Sequence, residues 1–174
     1  MNAAASDMAV ANLPRWLPAY VGVGSNLDDP ARQVAMALSA LARLPHTRRI
    51  AVSPLYRTKP FGDVVQPAFV NAVAGLLTQR SPEELLADLR ALELELGRAP
   101  PRERWGPRVI DLDLLVVGRE TRGTDSLTLP HAGIAQRDFV LYPLADVAPD
   151  LDVPGHGSVR ELRARVANRG IEKL

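Results

Sequence analysis

The segment S-P-E-E-L-L-A-D-L-R-A-L-E-L-E-L-G, Ser81 to Gly97, limits the fold more than any other stretch of the chain. Ser81 and Glu84 stand at capping-box spacing, Pro82 takes the first helical position, and Gly97 supplies the stop. Leu85, Leu89, Leu92 and Leu96 recur at helical spacing as a buried stripe, which sets Arg90 and Glu93 at the flanks of the core. Apolar runs of strand character lie on both sides, F-V-N-A-V-A-G-L-L before the helix and Asp111 to Val117 after it.

The remaining punctuation fixes the element order. Ala19 to Val23 reads as a strand, and G-S-N-L-D-D-P as a turn into a helix capped by Asp28 or Asp29, with Pro30 at its first position. Val34, Leu38 and Leu41 form that helix's stripe, widened by Ala37 and Leu44, and it ends near Pro45. Arg48 to Arg57 reads as a strand. The loop Thr58 to Pro67 that follows is long for a hairpin and points to a binding role. Past Val117 come a loop, a short helical piece from Gln136 to Leu144, and a last helix capped by Ser158 and Glu161. Strand, helix, strand, strand, helix, strand is the order of a ferredoxin-like βαββαβ sandwich of the α+β class, here with C-terminal helical additions. A length of 174 residues suits one domain. Residues 1–16 lack periodicity and read as a flexible extension, leaving 17–174 as the single domain.

Composition excludes several classes of function. With no cysteine, there is neither a disulfide framework nor a thiolate metal site, as expected of a cytoplasmic protein. A net charge of +1 and an aromatic content of 5% speak against a nucleic-acid surface. No apolar run reaches the roughly 18 residues of a membrane span. Asp7 and the lack of a basic start argue against a signal peptide.

Two carboxylates interrupt the last strand. Alternation puts Asp111 and Asp113 on one face, about 6 to 7 Å apart along the chain, and such a pair is unfavourable without solvent or a cation. Hard divalent ions such as Mg²⁺ take oxygen ligands and keep positions open for substrate phosphates. Two aspartates merely facing water at a sheet edge are the plainer alternative. The arginines tilt the balance: four of the eleven residues from Arg98 to Arg108 are arginine, on a Pro- and Gly-rich loop. Guanidinium forks beside metal-binding carboxylates are what a polyphosphate requires. Gly22 and Gly24 could begin a G-x-G-x-x-G, but Leu27 occupies the third position and no P-loop follows. His46 and His156 fall in turns and read as surface residues, while His131 in L-P-H stays open.

The run R-W-G-P-R-V-I-D-L-D-L-L, with Y-V-G-V-G-S-N-L, S-P-L-Y-R-T-K-P-F-G, Q-P-A-F-V-N-A-V and L-T-L-P-H…R-D-F-V-L-Y-P-L, resembles the 6-hydroxymethyl-7,8-dihydropterin pyrophosphokinase family of folate biosynthesis, from Tyr20 to Leu151. The resemblance implies a single pyrophosphokinase domain that moves the β,γ-pyrophosphoryl unit of ATP to the hydroxymethyl group of a reduced pterin and releases AMP. It implies two Mg²⁺ ions on Asp111 and Asp113, and catalytic roles for Arg98 and Arg108 beside them. It assigns ATP contacts to Glu93, Trp105, Arg108, Thr128, His131 and Arg137. The pterin is expected to stack between Phe69 and Phe139, with Asn71 reading its edge and the backbone of Thr58 and Phe61 helping. The partners expected are ATP and the reduced pterin, with neither nucleic acid nor membrane, and the chain is expected to act as a monomer. Arg90, Ala132 and Pro100-Pro101 depart from the family pattern, which bears on the adenine side and on the arginine-rich loop. Two rival readings stand beside it: a ferredoxin-like nucleic-acid-binding module, for which the K/R-G-F/Y-G/A-F-V-x-F/Y pattern is missing, and a kinase moving only the γ-phosphoryl group, which would yield ADP.

Overall fold

A computed structural model describes residues 15–60, 65–99 and 106–174. Its elements run β1 (Leu17–Ser25), α1 (Pro30–Leu41), β2 (Thr47–Val52), β3 (Tyr56–Thr58), β4 (Phe69–Thr78), α2 (Pro82–Glu95), β5 (Asp111–Val117), β6 (Arg122–Gly123), β7 (Thr128–Leu129), a 3-10 turn (Ile134–Gln136), α3 (Asp138–Val147), β8 (Asp152–Val153), β9 (Gly157–Ser158), α4 (Val159–Arg165) and β10 (Glu172–Lys173). The fold is mixed, an antiparallel sheet with four α-helices among the described residues. No helix among them is long and apolar enough to cross a membrane.

β1 is the central strand, antiparallel to β4 on one side and to β5 on the other. β2 and β3 line the outer edge of β4, and β10 adds to β3. Alternation along β1 explains the layering. Ala19, Val21 and Val23 point to the α1 and α2 side, where Val34, Leu38, Leu41, Leu85 and Leu89 close the first core. The opposite face packs Val73, Leu115 and Val116 against α3 and α4 through Leu141, Leu144 and Leu162. A register shift between Tyr20 and Val21 marks a bulge opposite Leu115. The bulge lets consecutive residues of β5 feed both cores, so the strand is apolar throughout after Asp113.

The two capping boxes, at Ser81/Glu84 and Ser158/Glu161, form as the sequence requires, and Asp29 rather than Asp28 caps α1. Three readings need correction. The strand expected over Arg48 to Arg57 breaks at Ser53–Leu55. There the Ser53 hydroxyl accepts the Val73 N–H at 2.9 Å and Pro54 has no N–H to give, so the ladder stops and resumes as β3. The helical piece placed at Gln136 begins instead at Asp138, after the 3-10 turn, and continues through Pro143 to Val147. Glu93 does not flank the core: it is buried at 7% exposure, because its carboxylate accepts the backbone N–H of Leu112 at 2.7 Å and pairs with Arg98. The extension assigned to residues 1–16 lies outside the described residues up to 14, while the Trp16 ring sits under the Arg48 guanidinium at 4.8 Å.

Candidate active site

The sheet face opposite α1 and α2 is only partly covered by α3, and the uncovered part forms an open cleft. Its floor is main chain. Gly22 stands beside Asp113 in the β1–β5 register, and Gly24 between Asp111 on one side and Asn71 on the other. A side chain at either position would fill the space over the central strand. At Gly24 an added Cβ would come within 2.8 Å of the Asn71 Oδ1.

One wall is acidic and cationic. Asp111 and Asp113 share the cleft face of β5, both half-buried, with Leu112 and Leu114 turned to the core. Asp111 is held twice: Arg98 Nη1 reaches its Oδ1 at 2.9 Å and Arg108 Nη1 its Oδ2 at 2.8 Å. Glu93 in turn pairs with Arg98 from the side of α2, where burial pushes its carboxyl above the ordinary range. Asp113 is more loosely provided, with Arg137 at 3.8 Å and His131 Nε2 at 3.9 Å. Burial first, and the neighbouring Asp111 second, raise its pKa, so this carboxylate sits where added positive charge is favourable. The ring of His131 accepts the Gly133 N–H on Nδ1 at 3.1 Å, which leaves Nε2 to carry the proton that faces Asp113. Burial lowers the His131 pKa and favours the neutral ring.

The other end is amphipathic. Thr58, Phe69, Asn71 and Phe139 line it together, with Lys59, Gln66 and Val140. Asn71 is buried and donates to the Thr58 hydroxyl at 2.7 Å, which holds its amide in place at the cleft. The Arg137 guanidinium lies 5.6 Å from the Phe139 ring centroid, joining the ring side of the cleft to the charged side.

Of the residues expected from sequence, Arg108, Asp111, Asp113, Arg137, Thr58, Phe69, Asn71 and Phe139 line one cleft. Arg98 and His131 touch it through the two aspartates. Glu93 stands behind Arg98, and Thr128 is exposed on β7 away from the lining. Trp105, Phe61 and the Pro100-Pro101 pair lie outside the described residues. Sequence reasoning missed the glycine floor, although two glycines at strand spacing in Y-V-G-V-G-S were the available signal. It also missed Asn26, which is buried, donates to Gln66 Oε1 at 3.0 Å and to the Pro67 carbonyl at 3.2 Å, and accepts the Arg108 N–H at 2.8 Å. One side chain thereby ties the loop ahead of β4 to the arginine-bearing segment.

A family model described as 7,8-dihydro-6-hydroxymethylpterin-pyrophosphokinase matches residues 20–149. A Pseudomonas aeruginosa protein named 2-amino-4-hydroxy-6-hydroxymethyldihydropteridine pyrophosphokinase is 50% identical over 155 residues, covering 89% of this chain and 95% of that protein. A Haemophilus influenzae protein of the same name is 40% identical over 158 residues, covering 91% and 98%. Among solved structures, wild-type Plasmodium falciparum HPPK-DHPS with SDX-DHP superposes with a TM-score of 0.69 at 15% identity. That match covers 87% of this chain and 44% of the other, so the chain spans less than half of the longer molecule, and the likeness is one of fold.

Proposed function

The chain belongs to the 7,8-dihydro-6-hydroxymethylpterin-pyrophosphokinase family, and on that premise we propose that its cleft transfers the β,γ-pyrophosphoryl group of ATP to the hydroxymethyl group of 6-hydroxymethyl-7,8-dihydropterin. A bond forms from the hydroxymethyl oxygen to the β-phosphorus and the β-phosphorus bond to the α,β-bridging oxygen breaks. AMP leaves and the hydroxyl proton is released.

The observation that carries this reading is the meeting, in one cleft, of a carboxylate pair, its arginines and an amphipathic end. Phe69 and Phe139 offer faces for a flat ring, and Asn71 and Thr58 offer fixed polar atoms for its edge. Arg98, Arg108 and Arg137 supply forked donors for a triphosphate, and His131 adds one more N–H beside Asp113. In this reading Glu93 acts by holding Arg98 rather than by touching nucleotide. Positioning and charge neutralisation carry the acceleration, since phosphoryl-type transfer leaves the protein little covalent work.

The donor set fits Mg²⁺. Asp111 and Asp113 present carboxylate oxygens to one space, and among the described residues no third His, Asp or Glu joins them, which suits an ion that completes its shell with water and phosphate. Bound there, Mg²⁺ would neutralise triphosphate charge and orient it for in-line attack. We read the order β2/β3, β4, β1, β5, with α1 and α2 on one face, as ferredoxin-like. We also propose one domain over residues 17–174, acting as a cytoplasmic monomer. The test is incubation with ATP, Mg²⁺ and the reduced hydroxymethylpterin, with chromatography of the nucleotides. AMP and a pterin diphosphate are expected, and chelation should stop both. ADP as the product would refute the proposal.

A further inference from the structure

The chain beyond α4 contacts both sides of the cleft. Asn168 Oδ1 accepts the N–H groups of Gly170 and Ile171 at 2.8 and 3.2 Å, a turn that leaves the Arg169 N–H to donate to Asp138 Oδ2 at 2.9 Å. Asp138 is buried at 5% exposure, and its other oxygen accepts the N–H of Phe139 at 2.9 Å. On the far side β10 pairs with β3, Glu172 opposite Arg57 and Lys173 opposite Tyr56, and the Leu174 N–H reaches the Leu55 carbonyl at 2.9 Å. Lys173 Nζ stands 3.7 Å from the Asp146 carboxylate on α3, which also takes the Tyr56 hydroxyl. Gly170 lies against Lys59, whose Cε and Nζ are 3.6 Å from where a Cβ would be.

This strap therefore joins the start of α3, which carries Phe139 and Val140 into the cleft, to β3, which ends in Thr58 and is followed by Lys59. β3 and α3 also meet directly, through the Tyr56 hydroxyl on Asp146 and the Tyr56 ring edge-on to Tyr142, but those contacts lie in the later turns of α3, and the strap adds a bond at its first residue, Asp138. We infer that residues 168–174, anchored on Asp138, set the width of the ring-binding end of the cleft and so act as a positioning element for the pterin. The inference rests on the pterin reading proposed above. Asp138 is not among the residues that line the cleft. Its two oxygens tie the Phe139 N–H of α3 to the Arg169 N–H of the strap, whose other end pairs with β3, and a buried carboxylate deprived of one donor is strongly disfavoured.

The test measures pterin affinity by fluorescence titration in the presence of a non-hydrolysable ATP analogue, and analogue affinity separately. The proteins are the wild type, Asp138→Asn, Lys173→Ala and a variant ending at Asn168, with circular dichroism to establish the folded fraction. Asp138→Asn and the shortened chain should weaken pterin binding roughly tenfold, as expected when one charge-assisted bond that fixes a wall is lost, with analogue binding within about twofold. Lys173→Ala, altered at a side chain that is more than half exposed and so not needed for folding, should weaken pterin binding by a smaller factor that Lys173→Arg restores. Folded variants with wild-type pterin affinity would overturn the inference. So would equal losses for both ligands, the signature of general loosening. A wild type that binds the analogue but no pterin would refute the pterin reading and the strap with it.

Discussion

Gly24→Ala puts the main-chain floor to the test at its tightest point. The substitution asks nothing unusual of the backbone, since Gly24 lies within β1 in regular antiparallel pairing on both sides. The conflict is with Asn71, whose Oδ1 would stand 2.8 Å from the new methyl carbon where contact needs about 3.4 Å. Asn71 must retreat by about half an ångström, and it is buried, with its Nδ2 on Thr58 at 2.7 Å. Weakening that bond costs about 1 kcal/mol and overpacking about 1–3 kcal/mol more. For a domain of this size that lowers Tm on the order of 5–10 °C. With Asn71 as the polar edge of the proposed ring-binding end, the KM for pterin should rise at least tenfold, about 1.4 kcal/mol, while the KM for ATP moves little. Calorimetry and AMP release under varied pterin give both numbers. Gly22→Ala is the internal comparison: its methyl would meet Leu115 at 3.6 Å and Asp113 Cβ at 3.7 Å, ordinary contact. Its Tm should hold or rise by the effect of about 0.4–1 kcal/mol that alanine exerts on the unfolded chain. If Gly24→Ala matches the wild type in Tm and pterin KM, Asn71 is not the fixed edge and the account of the floor is wrong.

The two aspartates should separate by stability while agreeing in activity. Asp113→Asn removes a half-buried carboxylate without close partners and should leave Tm unchanged or raised, whereas Asp111→Asn deprives Arg108 of its carboxylate partner and Arg98 of one of its two and should lower stability by about 1 kcal/mol or more, both losing roughly 10²-fold or more in turnover. Thermal melts and AMP release check both, and the reverse order of Tm would refute the pairing argument. Glu93→Gln keeps an acceptor for the Leu112 N–H but discharges the partner of Arg98, so kcat should fall about tenfold with the KM for pterin unchanged, as read by steady-state kinetics. Burial and the hydrogen bond to Asp146 push the Tyr56 hydroxyl up to about 12. The folded state holds that proton more tightly than the unfolded chain, so the associated stability is intact below pH 10 and is lost as pH rises towards 12, which tyrosinate absorbance in wild type but not in Tyr56→Phe should follow.

What sequence could reveal follows the range of the interaction involved. Capping boxes, leucine stripes and the alternation of Asp111 with Asp113 are local, and each reappears in the structure at its expected residues. The break at Ser53 was hidden because it depends on Val73 across the sheet, twenty positions on. Glu93 was misplaced for the same reason: helical periodicity sets it beside the leucine stripe, but the orphan N–H of Leu112 and the charge of Arg98 draw it inward. Recognition by family motif gathered most of the cleft lining at once, including Phe69 and Phe139, which composition alone would have assigned to the core. It did not find Gly24, Asn26 or Asp138. Their work is done through atoms they lack or through backbone groups they hold, and a motif read for chemistry passes over both.

The main-chain floor also bears on how the protein could escape an inhibitor. A flat compound resting on Gly22 and Gly24 leans on positions that offer no side chain to withdraw or exchange. Resistance would have to begin at 22, where a methyl group is accommodated, because at 24 the same methyl displaces Asn71, the residue proposed above to meet the edge of the natural ligand.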